Sequence, residues 1–477
     1  MINTFKNIAL LILLLYGSVL LSQDKIELKK SDQLSGKTVD GKTVREAIGN
    51  VHFVQGNVDV YCNEAIQYID ENRVELKGNV KIYQDTLSLF TSKATYYGTD
   101  KHAVCEGGVT LKDPNATLRA DNGVYYFKDA KAIFKGDVII VNPTYRITSK
   151  ELTYFRNSED SFAKGDVIVT TDSAIIKAEN IDFYKRQGKI YAFQNVTIDS
   201  DSSIIYSDTL TDYSFEKKSI AVGNVKILNL RNNLVVKGTY AENYDRQKYS
   251  FVKGNAKLSQ VENEKDTLFI YSDILETYRT VPERYKAKIN VEIIRGNFLA
   301  RCDTAIFAKT KDINIEEMSL FPRPVIWQDN LQLTADSIYA QIENRKLSMV
   351  YAKKIEGYPL SKNSFLLTAN RDTFFVERYD QITGRDIKIK FVNDTIKSVS
   401  VFKNSSSIYY VYDELKANGV NIVDGENMYI TFSDDQKVSK IRIEKNSKGQ
   451  YVPETKIATV QTRLPGFILR TDKPNKK

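Results

Sequence analysis

The 477 residues hold two histidines, His52 and His102, and three cysteines, Cys62, Cys105 and Cys302. A zinc site draws clustered His and Cys ligands at short, fixed spacings. A nucleophilic triad needs a histidine within reach of both a serine and a carboxylate. Neither histidine stands in a ligand-spaced group, and the two fall in different registers of a repeat. No glycine-rich phosphate loop precedes a helical pattern. Carboxylates offer a third chemistry, since polysaccharide-cleaving enzymes converge two of them on one bond. Asp121, Glu179 and Asp208 do recur in one column. A column that returns along the chain reads as a solvated wall, whereas a catalytic site would break the repeat. The expectation is a protein that is not an enzyme and carries no cofactor and no metal.

The repeat that carries these residues has a period of 29. A Gly-Asn-Val, Gly-Asp-Val or related element starts at Gly49, Gly78, Gly107, Gly136, Gly165 and Gly223, and Gln194 fills the slot where glycine is missing. Two apolar columns follow each start: Val51, Val80, Val109, Val138, Val167, Val196 and Val225, then Phe53, Ile82, Leu111, Ile140, Val169, Ile198 and Ile227. Polar residues lie between them, which is the alternation of a strand with one buried face. Further columns are apolar (Val60, Leu89, Leu118, Ile147, Ile176, Ile205) and aromatic (Tyr68, Tyr97, Tyr126, Phe155, Tyr184, Tyr213). The spacing predicts about three short strands per unit, with Gly-Asn turning the chain into the next unit because both residues tolerate positive φ. A period in this range marks a stacked array whose units lean on their neighbours. The fold class expected is all-β, an elongated solenoid-like stack of 29-residue repeats.

Composition agrees with strands, being rich in Tyr and Phe and poor in Pro. The expected organisation is a signal peptide over 1–22, a lead-in over 23–48, regular repeats over 49–278, irregular repeats with longer loops over 279–358, further β layers over 359–445 and a solvated tail over 446–477. Within the irregular part, 279–295 and 308–330 read as insertions. The start is read from the positive charge of Lys6, the apolar run Ile8 to Leu21 and the polar Ser22-Gln23-Asp24. That run is short for a membrane span and fits an export signal. The cysteines occupy columns of small residues, so all three are expected as free, buried thiols. A net charge of +8 with interleaved signs gives no nucleic-acid patch.

Together, the export signal, the Gly-Asn-Val units and segments such as Tyr61-Cys62-Asn63-Glu64-Ala65 resemble the OstA-like family of periplasmic lipopolysaccharide-transport proteins. So does Arg323-Pro324-Val325-Ile326-Trp327-Gln328-Asp329 followed by Gln332-Leu333-Thr334-Ala335-Asp336. The resemblance implies a twisted β-jellyroll of V-shaped section with an apolar interior. Its strands would be antiparallel, whereas stacking of like columns would suggest parallel layers. The function implied is a periplasmic carrier or bridge that holds the lipid A acyl chains of lipopolysaccharide on the way to the outer membrane. Partners would be lipopolysaccharide and other transport proteins met through end-to-end β-layer contacts, with head-to-tail self-association open to it and no nucleic acid. The interior candidates for lipid contact are Val80, Ile82, Val109, Leu111, Val138, Ile140, Val167, Val169, Val196, Ile198, Val225 and Ile227. The competing expectation is an exported structural or adhesive β-solenoid with a closed core and no lipid.

Overall fold

The computed structural model describes residues 25–475, apart from 40, 232, 262–266, 311, 313, 345, 359–360, 370–374, 376, 394, 414–415 and 435–437. The expected signal peptide lies outside the described residues. Those residues form 33 strands and two short 3-10 turns, and every described strand pair is antiparallel. No described helix is long and apolar enough to cross a membrane. The chain divides into two compact units, Met1–Gln194 and Asn195–Lys477.

Each 29-residue repeat holds two long strands, not three short ones. In the first unit Arg73–Gln84 is followed by Leu87–Tyr97, and Lys131–Val141 by Tyr145–Phe155. The difference lies in the Gly-Asn pair, which does not end a strand. Gly78 (φ 72) and Asn79 (φ 46) both sit in the left-handed region inside one strand. There the register slips between Lys77 and Val80, two residues facing one on the neighbour. This is a β-bulge, which bends the strand and raises its twist. The hairpin turns come elsewhere, at Asp85-Thr86 and Asp70-Glu71-Asn72. The missing glycine is no obstacle: Gln194 and Asn195 take φ values of 66 and 57, the same left-handed conformations.

The bulge explains the carboxylate column. A Cβ on Gly136 would meet Asp121 at 2.3 Å, and one on Gly223 would meet Asp208 at 2.1 Å. Asn224 donates to Asp208 at 3.0 Å, and the Asp121 amide donates to the Gly136 carbonyl at 3.0 Å. Asp121 and Asp208 sit over the bend, where the facing glycine leaves them room.

Beyond the bend each strand has a second apolar stretch. In the first unit Ile82, Leu111 and Ile140 are buried before or after the bulge, and so are Leu76, Phe134 and Leu152 on its other side. A sheet wetted on its outer face buries both stretches only if its two halves fold toward each other. Tyr96, Tyr125 and Tyr154 point into the same interior and fill it, and the Tyr96 hydroxyl donates to Gln55 at 2.7 Å. The first unit thus has a closed core. The valines from Val51 to Val225 in the expected inward column are all buried.

The aromatic column lies on the outside. Across successive strands Tyr68, Arg73, Tyr97, His102, Tyr126, Lys131 and Phe155 follow one another as cross-strand partners. Arg73 stands 3.8 Å over Tyr68, and His102 stacks at 4.6 Å on Tyr97 and 5.4 Å on Tyr126. Cation–π and stacked pairs of this kind stabilise a sheet by tenths to about 1 kcal/mol each. His102 is thereby a sheet residue, and burial lowers its pKa. His52 likewise stacks at 4.3 Å on Tyr61 and meets Asp59 at 2.8 Å.

In the second unit the hairpins continue through Arg284–Arg295 and Phe298–Lys309. Residues 284–295, expected within an insertion, are therefore a regular strand. Its bulge falls at Ile289 and Asn290, not at Gly296, which occupies the following turn. From Phe298–Lys309 the sheet divides: one end pairs with Ile315–Phe321 and the other with Val325–Gln328. The two branches rejoin in Thr395–Asp413 and Lys416–Phe432. Leu320, Ile338, Val350, Ile387 and Val401 pack between them with Ile326 and Leu366 into a closed core.

The expected C-terminal tail is largely built into this unit. Lys448–Pro453 is a strand paired with Lys416–Phe432, and the chain then crosses the outer face of one branch. Two buried glutamines hold it there through both ends of their amides. Gln381 donates to Thr462 O at 2.8 Å and accepts from Leu464 N at 2.9 Å; Gln332 donates to Ile468 O at 2.7 Å and accepts from Arg470 N at 2.8 Å. Leu464 seals Phe365, Leu367 and Ile408 beneath.

One carboxylate near this strap carries a pH dependence. Burial pushes Asp380 up to about 7, although it accepts the Tyr410 amide at 2.9 Å. A raised folded-state pKa means stability that is complete below about pH 4 and is lost as pH rises through about 7. Asp380→Asn is therefore expected to raise the melting temperature at pH 8 and to flatten its fall between pH 4 and 7. An unchanged pH profile by calorimetry would refute this.

Candidate functional site

The second unit contains a cavity of about 510 Å³. Strands from Ser203–Tyr213 to Phe298–Lys309 build it, bent where alternate strands carry a bulge so that their two halves form opposite walls. One wall presents Ile205, Ile227, Val236, Leu258 and Ile270, which are consecutive cross-strand partners. The other presents three rungs. Deepest are Leu210, Ala221, Ala241, Val252, Leu275 and Ala287; next come Ser219, Asn243, Ser250, Thr277 and Tyr285. Two residues further out, at the strand ends, stand Asp245, Arg279 and Glu283. The wall thus passes from apolar through hydroxyl and amide to charged between its floor and its mouth.

Side-chain size makes the space. The deepest rung mixes large and small side chains in both units, Leu76, Phe134 and Leu152 among alanines in the first and Leu210, Val252 and Leu275 among alanines here, so the contrast lies one rung further out. The position filled by Tyr96, Tyr125 and Tyr154 becomes Asp212 and Asn243. From Ser219 to Thr277 nothing bulky reaches across, with Tyr285 at the far end of that rung, and the facing column relaxes from buried to half-buried at Ile205, Ile227 and Val236. Beyond Ala287 the interior closes again around Val291, Ile293, Ala300 and Ala305.

Two carboxylates on the outer face of this wall are matched. Glu242 meets Lys218 at 3.3 Å and Tyr240 and Tyr244 hydroxyls donate to it; Glu276 meets Lys288 at 2.8 Å and receives Tyr249 at 3.0 Å and Tyr278 at 3.2 Å. Burial alone would raise both acids, but these donors outweigh it and lower their pKa. Such acids stay ionised and paired, unlike a general acid held near neutrality.

The structure distributes the interior candidates unequally. Val80, Ile82, Val109, Leu111, Val138, Ile140, Val167 and Val169 pack in the first unit at 6% exposure or less. In the second unit Val196 and Val225 are buried beside the bend, while Ile198 and Ile227 are half-buried. Of the twelve, Ile227 lines the cavity. Val236, Leu258 and Ile270 line it too, beyond the point where the 29-residue pitch drifts. Their signal was present in the residue preceding each aromatic of the outer column, which loses bulk and gains polarity from Tyr125 to Asp212. The cysteines are buried and unpaired, and burial pushes each thiol up to about 12. No group of three or more potential metal ligands occurs among the described residues.

Residues 23–163 match the family model described as OstA-like protein. Among solved structures, the crystal structure of LptH is similar. Its title describes it as the LptA homologous periplasmic component of the conserved lipopolysaccharide transport device from Pseudomonas aeruginosa. Identity is 13%, coverage 21% of this chain and 76% of that chain, and the TM-score 0.20. No curated protein matches the chain.

Proposed function

We propose, from the OstA-like character of residues 23–163, that the protein is a periplasmic lipid carrier or bridge. It takes the acyl chains of lipopolysaccharide out of water during transport to the outer membrane. The observation that carries this reading is the cavity wall that grades from apolar floor to charged mouth, as an amphiphile does. Burying each methylene of an acyl chain contributes about 0.8 kcal/mol. The wall offers no converging catalytic groups, so the role is to hold and hand on, not to convert. Other lipopolysaccharide-transport proteins would be met through strand edges, whose unpaired backbone groups invite pairing.

The test is photo-crosslinking in living cells. A photoreactive side chain at Ile227 or Val236 is expected to capture lipopolysaccharide. The same group at Ile140, within the closed core of the first unit, or at the exposed Lys150 is expected to capture none. Absence of lipid at both cavity positions would favour the structural solenoid, and capture at all four would indicate nonspecific contact.

A further inference from the structure

We infer that Arg279 selects amphiphiles with an anionic phosphate headgroup for the cavity of the second unit. This deepens the lipid-carrier reading and rests on it. Leu275, Thr277 and Arg279 alternate with outward residues along one strand and its exit, so Arg279 is the outermost inward-facing position. Its guanidinium is brought to the mouth by two bonds. The Arg279 amide donates to Lys248 O at 2.8 Å, and Nη1 donates to Ser250 Oγ, on the hydroxyl rung, at 3.2 Å.

The charges around the mouth leave this group the least neutralised. Glu283 has Lys309 at 3.1 Å. Among the described residues Arg279 has Asp245, at 3.8 Å, as its one carboxylate partner, and that carboxylate is 73% exposed. An ion pair so long and so wet contributes little. The cation at the mouth left free to meet a ligand, among the described residues, is therefore Arg279. A guanidinium offers a planar fork of donors that fits phosphate oxygens two at a time. An acyl chain lying on Ala241, Val252 and Ile270 places its polar end against Ser250 and its headgroup against Arg279.

The experiment uses the full chain and two pyrene-labelled lipids with identical acyl chains, a phosphatidic acid and a diacylglycerol. Wild type is expected to bind the phosphatidic acid at least tenfold more tightly at low salt, and less so at high salt. Arg279→Gln is expected to reduce that preference to twofold or less with diacylglycerol affinity unchanged, and Arg279→Lys to keep part of it. Equal affinities in wild type, or a preference that survives Arg279→Gln, would overturn the inference while leaving the cavity as a lipid site. Failure of either lipid to bind would overturn both readings. Circular dichroism of each variant confirms the fold.

Discussion

Asn243→Tyr combined with Ser250→Phe is expected to abolish lipid uptake. The pair puts back into the second unit what Tyr96, Tyr125 and Tyr154 supply in the first. Asn243 and Ser250 are cross-strand partners on the middle rung of the cavity wall, so both rings would enter the same space. If they displace about four methylenes of an acyl chain, the loss is about 3 kcal/mol, on the order of 200-fold in affinity. The fold is expected to survive, because the rings fill space and clash with no packed group. Titration with a pyrene-labelled phospholipid measures the effect. Undiminished affinity in a folded double variant would show that the lipid, if bound, lies elsewhere.

The largest effect on stability is expected at Phe134. It is fully buried and lies opposite Gly123 on the neighbouring strand, where an added Cβ would meet the ring at 2.4 Å. Phe134→Ala removes a ring from a closed core and is expected to cost about 3–5 kcal/mol. Gly123→Ala is also expected to destabilise, since the ring has no vacant side to retreat to. The two changes share one volume, so their effects should not add. Phe134→Leu with Gly123→Ala is expected to be more stable than the sum of the single changes predicts. Denaturant unfolding of the full chain, followed at the first unit by a local probe, would decide it. Strict additivity would mean that ring and glycine do not compete for space.

Much of the all-β scaffold could be read from residue spacing, and the reasons are local. The valines from Val51 to Val225 had to face inward because polar neighbours alternate with them. The cysteines read as packed thiols because Cys62 shares its column with Ala, Ser and Thr and Cys105 shares its column with three alanines. The strand count was not legible. Gly-Asn has the same dihedral preference in a turn and in a bulge, and only pairing with the next strand distinguishes them. The bulge at Ile289-Asn290 escaped for the converse reason, since it keeps Asn-Val but lacks the glycine. The strap over residues 454–472 could not be foreseen from its own residues, because its anchors, Gln332 and Gln381, lie far away in sequence.

The candidate site was legible in kind but not in place. Val138 with Ile140 and Val225 with Ile227 look alike in sequence, yet the first pair is sealed and the second stands at the edge of a cavity. What differs is the opposite wall, Phe134 and Tyr154 in one case and Ala221 and Ser219 in the other. A column of apolar residues reports which way a strand faces; the bulk of the column across from it decides whether anything else fits.

The bulge has a consequence for how such a chain can evolve. Every hairpin of the first unit starts and ends on the same rung, so duplicating one 29-residue segment inserts two strands, about 10 Å of additional wall. Neighbouring faces keep their orientation. A single-residue insertion within a strand would instead turn the following side chains inside out. Length can therefore change by recombination in whole steps while intermediate lengths are purged, and a lineage could adjust this unit to a wider or narrower compartment without redesigning a single contact.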